Sequence, residues 1–230
     1  MKYNETPDVG KNQNKISATI EQIKEYTEQV IKGLIVCTLS ACPRCELESQ
    51  YFKRHEARQR IFYPILDQIV YTVTGLVIRW KCTGCSKSFT QYPDFALPYK
   101  RYTLPTIELF SQRYTEDDSM TYRKAKMKTL LGHKDSEKQM EHTTIYHWIT
   151  TLGKCRKVAA KAIDLILQVK PLSTICRDLA SLWISPKKYR SEQRKEILIE
   201  CRKLFRLEVL YRLIFKISIF PKFATNCRLI

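Results

Sequence analysis

Two short motifs hold the residues best suited to chemistry: Cys42-Pro43-Arg44-Cys45 and Cys82-Thr83-Gly84-Cys85. Each pair offers two soft sulfur ligands from one tight turn, and two such pairs complete a tetrahedral thiolate site. Sulfur suits zinc, and four protein ligands leave no open position for a substrate. The expected cofactor is therefore a structural Zn2+ on Cys42, Cys45, Cys82 and Cys85. The competing reading is four buried or redox-active thiols.

Residues 46–81 lie between the pairs and must bring them together. The runs Tyr51-Phe52-Lys53-Arg54-His55, Arg60 to Tyr63, Ile69 to Val73 and Leu76 to Trp80 are rich in β-branched and aromatic residues, as strands are. Gly75 reads as a turn or bulge, Ser88 to Thr90 as a further short strand, and Ile35 to Cys37 as a strand leading into the first pair. The expected module is a zinc ribbon, hairpins pinned at one end by metal. A core that small needs metal binding as part of its folding energy. His55 reads as a surface or phosphate-contacting residue.

Ahead of the ribbon, residues 1–15 read as a disordered polar leader. Ile20, Ile23, Val30, Ile31 and Leu34 then mark a helix from Ser17 to Gly33. Behind it, the prolines of Pro93 to Tyr102 suggest an extended connector. A helix is expected over Leu104 to Arg113. A second, over Met120 to Leu131, is capped by Ser119 and stopped by Gly132. His133 to Met140 is polar and reads as a loop.

A third helix, Thr143 to Leu152 closed by Gly153, carries Ile145, Trp148, Ile149 and Leu152 at amphipathic spacing. Its other face shows Thr143, Thr144, Tyr146 and His147, with Lys154, Arg156 and Lys157 just beyond. Helix, turn and short polar-faced helix is an arrangement that enters the DNA major groove. Thr, Tyr and His can reach base edges or phosphates, and the following bases can hold phosphates. The competing reading is an ordinary amphipathic helix in a helical domain.

Net charge is +17 across 230 residues, from 40 Lys and Arg against 23 Asp and Glu. Polyanions are the natural partners of such a chain, double-stranded DNA first. From Lys154 to Arg206 fourteen bases face five acids, which suggests an electrostatic footprint on phosphate; the competing reading is a solvated helix face on which Glu192, Glu196 and Glu200 pair with neighbouring bases. Beyond it, Leu204 to Phe220 reads as an amphipathic helix, with Glu208, Arg212 and Lys216 sharing a face. The nine cysteines, an odd number, follow a polar start without a secretory signal. Reduced metal-binding thiols in the cytoplasm fit better than a disulfide framework. Isolated Cys37, Cys155, Cys176, Cys201 and Cys227 read as small hydrophobes. No apolar run reaches the roughly eighteen residues of a membrane span.

Residues Cys42 to Tyr102 resemble the zinc-ribbon region at the front of some bacterial insertion-sequence transposases and related helix-turn-helix proteins. The likeness runs through Cys-Pro-x-Cys, Phe52-Lys53-Arg54-His55, Arg79-Trp80-Lys81-Cys82-x-x-Cys85, Phe89 and Pro93 to Tyr102. His142 to Trp148 is similar to that family's recognition helix. The resemblance implies DNA binding at transposon ends, with zinc stabilising the first module, in a protein associated with the nucleoid. Glu46 and Ser86 depart from it, since zinc knuckles favour glycine where the turn can require positive φ.

A full transposase of that sort needs a carboxylate triad on an α/β domain to hold two metal ions. No alternating strand–helix pattern follows Leu152, so no catalytic residues are assigned. The expected fold class is α+β: a ribbon followed by a mostly helical region. The domains read as 1–34, leader and helix; 35–102, ribbon; 103–157, helix-turn-helix region; and 158–230, basic helical tail. A dimer is open, since palindromic half-sites would imply one. A protein-docking zinc module and a degenerate metal-dependent nuclease are the alternative functions.

Overall fold

A computed structural model describes residues 9–66, 69–127, 140–220 and 223–224. The architecture is α+β, a small antiparallel sheet followed by helices. The described chain falls into two compact units, residues 9–106 with 223–224, and residues 107–127 with 140–220. The first unit takes in both the leading helix and the expected ribbon. The second takes in both the helical region and the basic tail.

In the first unit, α1 (Val9–Ile31) starts inside the stretch expected to be a leader. Polarity does not bar a helix, and the nearest proline, Pro7, lies outside it. Gly33 closes α1 at φ +74, where the Leu34 N–H donates to Gln29 O and the Gly33 N–H to Val30 O. That pair of bonds satisfies carbonyls the helix end would otherwise leave open. Arg54 Nη2 adds a bond to Val30 O at 2.6 Å.

The long hairpin is β1 (Phe52–Phe62) against β4 (Val73–Cys82), antiparallel from Phe52↔Cys82 to Phe62↔Val73. Short strands β2 (Ile65–Leu66) and β3 (Ile69–Val70) pair beyond it. β5 (Ser88–Gln91) lies on the other side of β4, and β6 (Phe223–Ala224) completes the order β1-β4-β5-β6. The irregularity in β1 falls between Arg54 and Glu56, at His55. Gly75 stays in register opposite Arg60, so it is neither a turn nor a bulge. It is glycine because α1 packs there: an added Cβ would sit 2.9 Å from Ile23 Cγ2 and 3.0 Å from Thr27 Oγ1. That hydroxyl donates to Ile23 O at 2.7 Å and accepts from the Leu76 N–H at 3.2 Å.

The sheet buries different side chains on its two faces. Ile23, Phe62, Val77, Tyr92, Phe95 and Ala96 form one cluster. Cys42, Phe52, Ile78, Trp80, Cys82 and Phe89 form the other. Residues 93–102 are not the expected extended connector. Two tight turns, Ala96 N–H to Pro93 O and Lys100 N–H to Leu97 O, fold the segment so that Phe95, Ala96 and Leu97 are buried. The strand expected at Ile35 to Cys37 is coil. The buried Gln91 side chain claims its backbone instead, accepting from Thr38 N–H and donating to Val36 O.

In the second unit, α2 (Leu104–Glu116), whose first turn belongs to the first unit, runs three residues past the expected end at Arg113. Thr121, not Ser119, caps α3 (Tyr122–Met127), its Oγ1 accepting from the Lys124 N–H at 3.1 Å. Ser119 is taken up by Asp117, to which its N–H and hydroxyl both donate. The expected extension to Leu131, the Gly132 stop and most of the following loop lie outside the described residues. Then come α4 (His142–Leu152), α5 (Arg156–Val169), α6 (Thr174–Asp178) and α7 (Glu192–Phe215). α7 packs against α4 and α5, and α3 against α4.

α7 starts twelve residues before the expected Leu204, because Ser191 caps it by accepting from Arg194 N–H. It ends where Lys216 turns left-handed at φ 60. Its buried Glu208 accepts from Arg212 and, at 2.8 Å, from the Ile219 N–H, fixing the chain beyond the helix. Gly153 follows α4 at φ −66, an ordinary helical value. Its reason for being glycine is close approach, since a Cβ there would lie 2.2 Å from Ile197 O on α7.

Candidate metal centre and the helix α4 face

The four cysteines chosen from spacing converge. Cys42, Cys45, Cys82 and Cys85 place their Sγ atoms within 4.8 Å of one another, and the cluster could hold a metal ion. The hairpin achieves this by setting Phe52 opposite Cys82, which brings the loop before β1 to the loop after β4. The first loop is closed by a bridge between Ala41 and Glu48. The Cys42 N–H donates to Leu47 O at 2.8 Å and the Cys82 N–H to Lys87 O at 2.9 Å, so the two loops repeat one backbone pattern.

Residues Glu46 and Ser86, each just after a pair, adopt φ 60 and φ 57. The turn thus takes its left-handed shape without the glycine that would make it free of strain. Within the second loop Gly84 leaves room for the cluster. A Cβ there would stand 3.2 Å from Leu47 Cδ2 and 3.5 Å from Cys45 Sγ.

Cys42 and Cys82 are buried, Cys85 is half-buried and Cys45 exposed. Sγ pairs Cys42–Cys85 and Cys45–Cys82 each stand 3.6 Å apart. Burial raises the Cys42 thiol, but the backbone N–H groups of Arg44 and Cys45 and the thiols of Cys85 and Cys45 outweigh it, and its pKa falls to about 7. The Leu47 N–H lowers Cys45, yet burial and the three neighbouring sulfurs together push it up to about 12. The two thiols are thus pushed in opposite directions, as expected where ionised sulfurs packed this closely would repel. A bound cation is what would let all four ionise together.

The residues chosen on α4 and after it fall in the second unit. Ile145, Trp148, Ile149 and Leu152 are buried, while Thr143, Tyr146 and His147 are exposed and Thr144 is half-exposed. Lys154, Arg156 and Lys157 are exposed; Arg156 is paired with Glu196 at 2.5 Å. The Thr150 and Thr151 hydroxyls donate to Tyr146 O and His147 O, within the helix.

Sequence reasoning counted Arg194 only as part of the basic run and did not see that it and Tyr122 build this face. Arg194 of α7 lies 4.2 Å from the Tyr146 ring centroid and donates to Thr150 Oγ1 at 2.8 Å and to the Tyr122 hydroxyl. Tyr122 stacks on Tyr114 at 3.8 Å and meets Tyr146 edge-on at 5.8 Å, and burial pushes its hydroxyl pKa up. Neither residue had a local signal: Arg194 is 44 positions from Thr150 and 72 from Tyr122.

The basic run from Lys154 to Arg206 divides in two. Arg156, Lys195, Arg202, Lys203 and Arg206 pair with acids, and Lys188 donates to the carbonyls of Tyr114 and Met120. Arg156, Lys188, Arg202 and Arg206 tie separate elements together, while Lys195 and Lys203 pair within α7. Lys154, Lys157, Lys161, Lys170, Lys187 and Arg190 are exposed, with no ion pair among the described residues. The exposed charge without an ion pair is therefore smaller than the base count suggests. His55 is exposed, Cys155 and Cys201 are buried, and Cys37 and Cys176 are intermediate, while Cys227 lies outside the described residues.

Residues 42–148 match a family model described as Domain of unknown function (DUF6431). The matched segment begins at the first cysteine of the cluster and ends on α4. It takes in all four thiols and the α4 residues Thr143, Thr144, Tyr146 and His147, and leaves out α5, α6 and α7. No curated protein and no solved structure matches the chain. None of the described helices is long and apolar enough to cross a membrane.

Proposed function

We propose that this chain is a zinc-stabilised, sequence-specific binder of double-stranded DNA, of mobile-element origin and acting at the nucleoid. The observation that carries the DNA reading is the division of α4. Its apolar residues are buried, and Thr143, Tyr146 and His147 face outward beside the exposed bases Lys154 and Lys157. Such a face offers hydrogen bonds and a Thr methyl to base edges, with cations placed for phosphates.

Zinc is the ion the sulfur set fits. Four Zn–S bonds of about 2.3 Å give a tetrahedron with edges of about 3.8 Å. Two of the sulfur pairs already stand at 3.6 Å, and the widest separation is 4.8 Å. Four protein ligands fill the shell, so the metal's part is structural: it holds the open end of the β1–β4 hairpin.

The test is binding of a labelled duplex by zinc-loaded protein, with the Thr144→Ala/His147→Ala double variant beside the wild type. The expected result is a loss of preference among sequences larger than the loss of overall affinity. Equal weakening on every sequence would mark α4 as a phosphate binder only. A second reading, a zinc module that docks protein, draws support from Val209 and Leu213 on α7, which are 52% and 65% exposed one helical turn apart.

A further inference from the structure

We infer that Arg194 is a phosphate anchor of the α4 face, held ready for a DNA backbone; this rests on the DNA-binding reading above. Its position is fixed from both ends. The Arg194 N–H donates to Ser191 Oγ at the α7 N-terminus. At the other end Nη1 donates to Thr150 Oγ1 at 2.8 Å, and Nη2 donates to the Tyr122 hydroxyl. The guanidinium lies over the Tyr146 ring, 4.2 Å from its centroid. The Thr150 hydroxyl spends its own proton on Tyr146 O at 2.7 Å, so it meets Arg194 as an acceptor.

All of these partners are neutral. Four other arginines of this unit differ from it chemically. Arg156 meets Glu196, Arg202 and Arg206 meet Glu116, and Arg212 meets Glu208. Among the described residues Arg194 meets no carboxylate. Half-burying a guanidinium without a counter-ion is unfavourable unless an anion completes it, and the planar fork suits a phosphate. The contacts with Thr150 and Tyr122 use two of the five N–H groups, and three remain. Thr150 lies two helical turns beyond Thr143 on α4, about 10 Å along the axis. The anchor, on α7, is thus held against the helix whose Thr143 and His147 would read bases.

The competing role is a strut that ties α4 to α7 and touches no ligand. A strut affects folding but does not change how many phosphates the protein neutralises. The experiment measures binding of a fluorescein-labelled random-sequence duplex to the full zinc-loaded chain across a KCl series. Wild type, Arg194→Gln, Arg194→Lys and Arg202→Gln are compared, and each variant's thermal melt is recorded. The expected result is that Arg194→Gln flattens the slope of log K against log [KCl] by about 0.9 and weakens binding several-fold on all sequences. Arg194→Lys keeps the slope, and Arg202→Gln leaves it unchanged. Should Arg194→Gln fail to fold, Arg194→Lys decides through affinity: it keeps the charge but loses the fork, so weaker binding at the wild-type slope is expected. A wild-type slope and affinity in Arg194→Gln, or wild-type affinity in Arg194→Lys, would overturn the anchor while leaving DNA binding standing. Failure of the wild type itself to bind DNA would overturn the reading beneath it.

Discussion

In the first unit four sulfur atoms converge within 4.8 Å and bring no positive charge of their own. In the second, the helices are tied by internal pairs such as Arg202–Glu116 and Arg156–Glu196, and by the backbone approach at Gly153. One unit gathers like groups that a cation could bridge; the other joins acids to bases from helix to helix. Two sources of order follow. A bound cation would stabilise the thiol cluster, because thiolates this close repel one another without one. The helical unit depends on packing, so its weak points are steric.

Removing a ligand should have the largest effect. Cys82→Ser is expected to abolish stoichiometric zinc and amide-exchange protection in β1 and β4, a loss on the order of the ~10 kcal/mol that structural zinc supplies to small folds. A variant with full zinc content and unaltered exchange would break the contrast between the units. Gly153→Ala should come next. Its Cβ would meet the Ile197 carbonyl, and a clash with backbone cannot be relieved by rotating a side chain. About 3 kcal/mol should be lost in urea unfolding, with zinc content unchanged.

Glu208→Ala should cost about 2 kcal/mol by the same measurement, since it leaves the Ile219 N–H without its acceptor. The smallest effect is a gain. Glu46→Gly and Ser86→Gly should each raise stability by about 0.5–1 kcal/mol in thermal melts of the zinc-loaded protein, by relieving left-handed φ. A loss instead would mean that the side chains at these turns contribute more than the strain costs.

Legibility in the sequence followed the range of the interaction. The thiol pairs, the Gly33 helix end and the buried face of α4 are written in spacings of a few residues, and the structure places them as read. The coil at residues 35–37 could not be seen locally, because Gln91, 55 positions from Val36, supplies its hydrogen bond. Gly75 and Gly153 carried a visible glycine but not its reason, which in each case is a neighbouring helix. Ser119 had the right chemistry for a cap, yet Asp117 lies close enough to claim it first. In the basic run the pairs of Glu192 and Glu200 with bases three residues on were legible, while the long-range struts were hidden for the same cause. Glu116, which takes both Arg202 and Arg206, lies 86 and 90 positions away from them.

The most direct test is selection of bound duplexes from a random double-stranded pool by the zinc-loaded chain at moderate salt. A defined motif should be enriched, and enrichment should be lost in the Thr144→Ala/His147→Ala variant. DNA retained without any enriched motif would contradict sequence-specific recognition. It would leave only charge-driven binding and bring the protein-docking reading to the front.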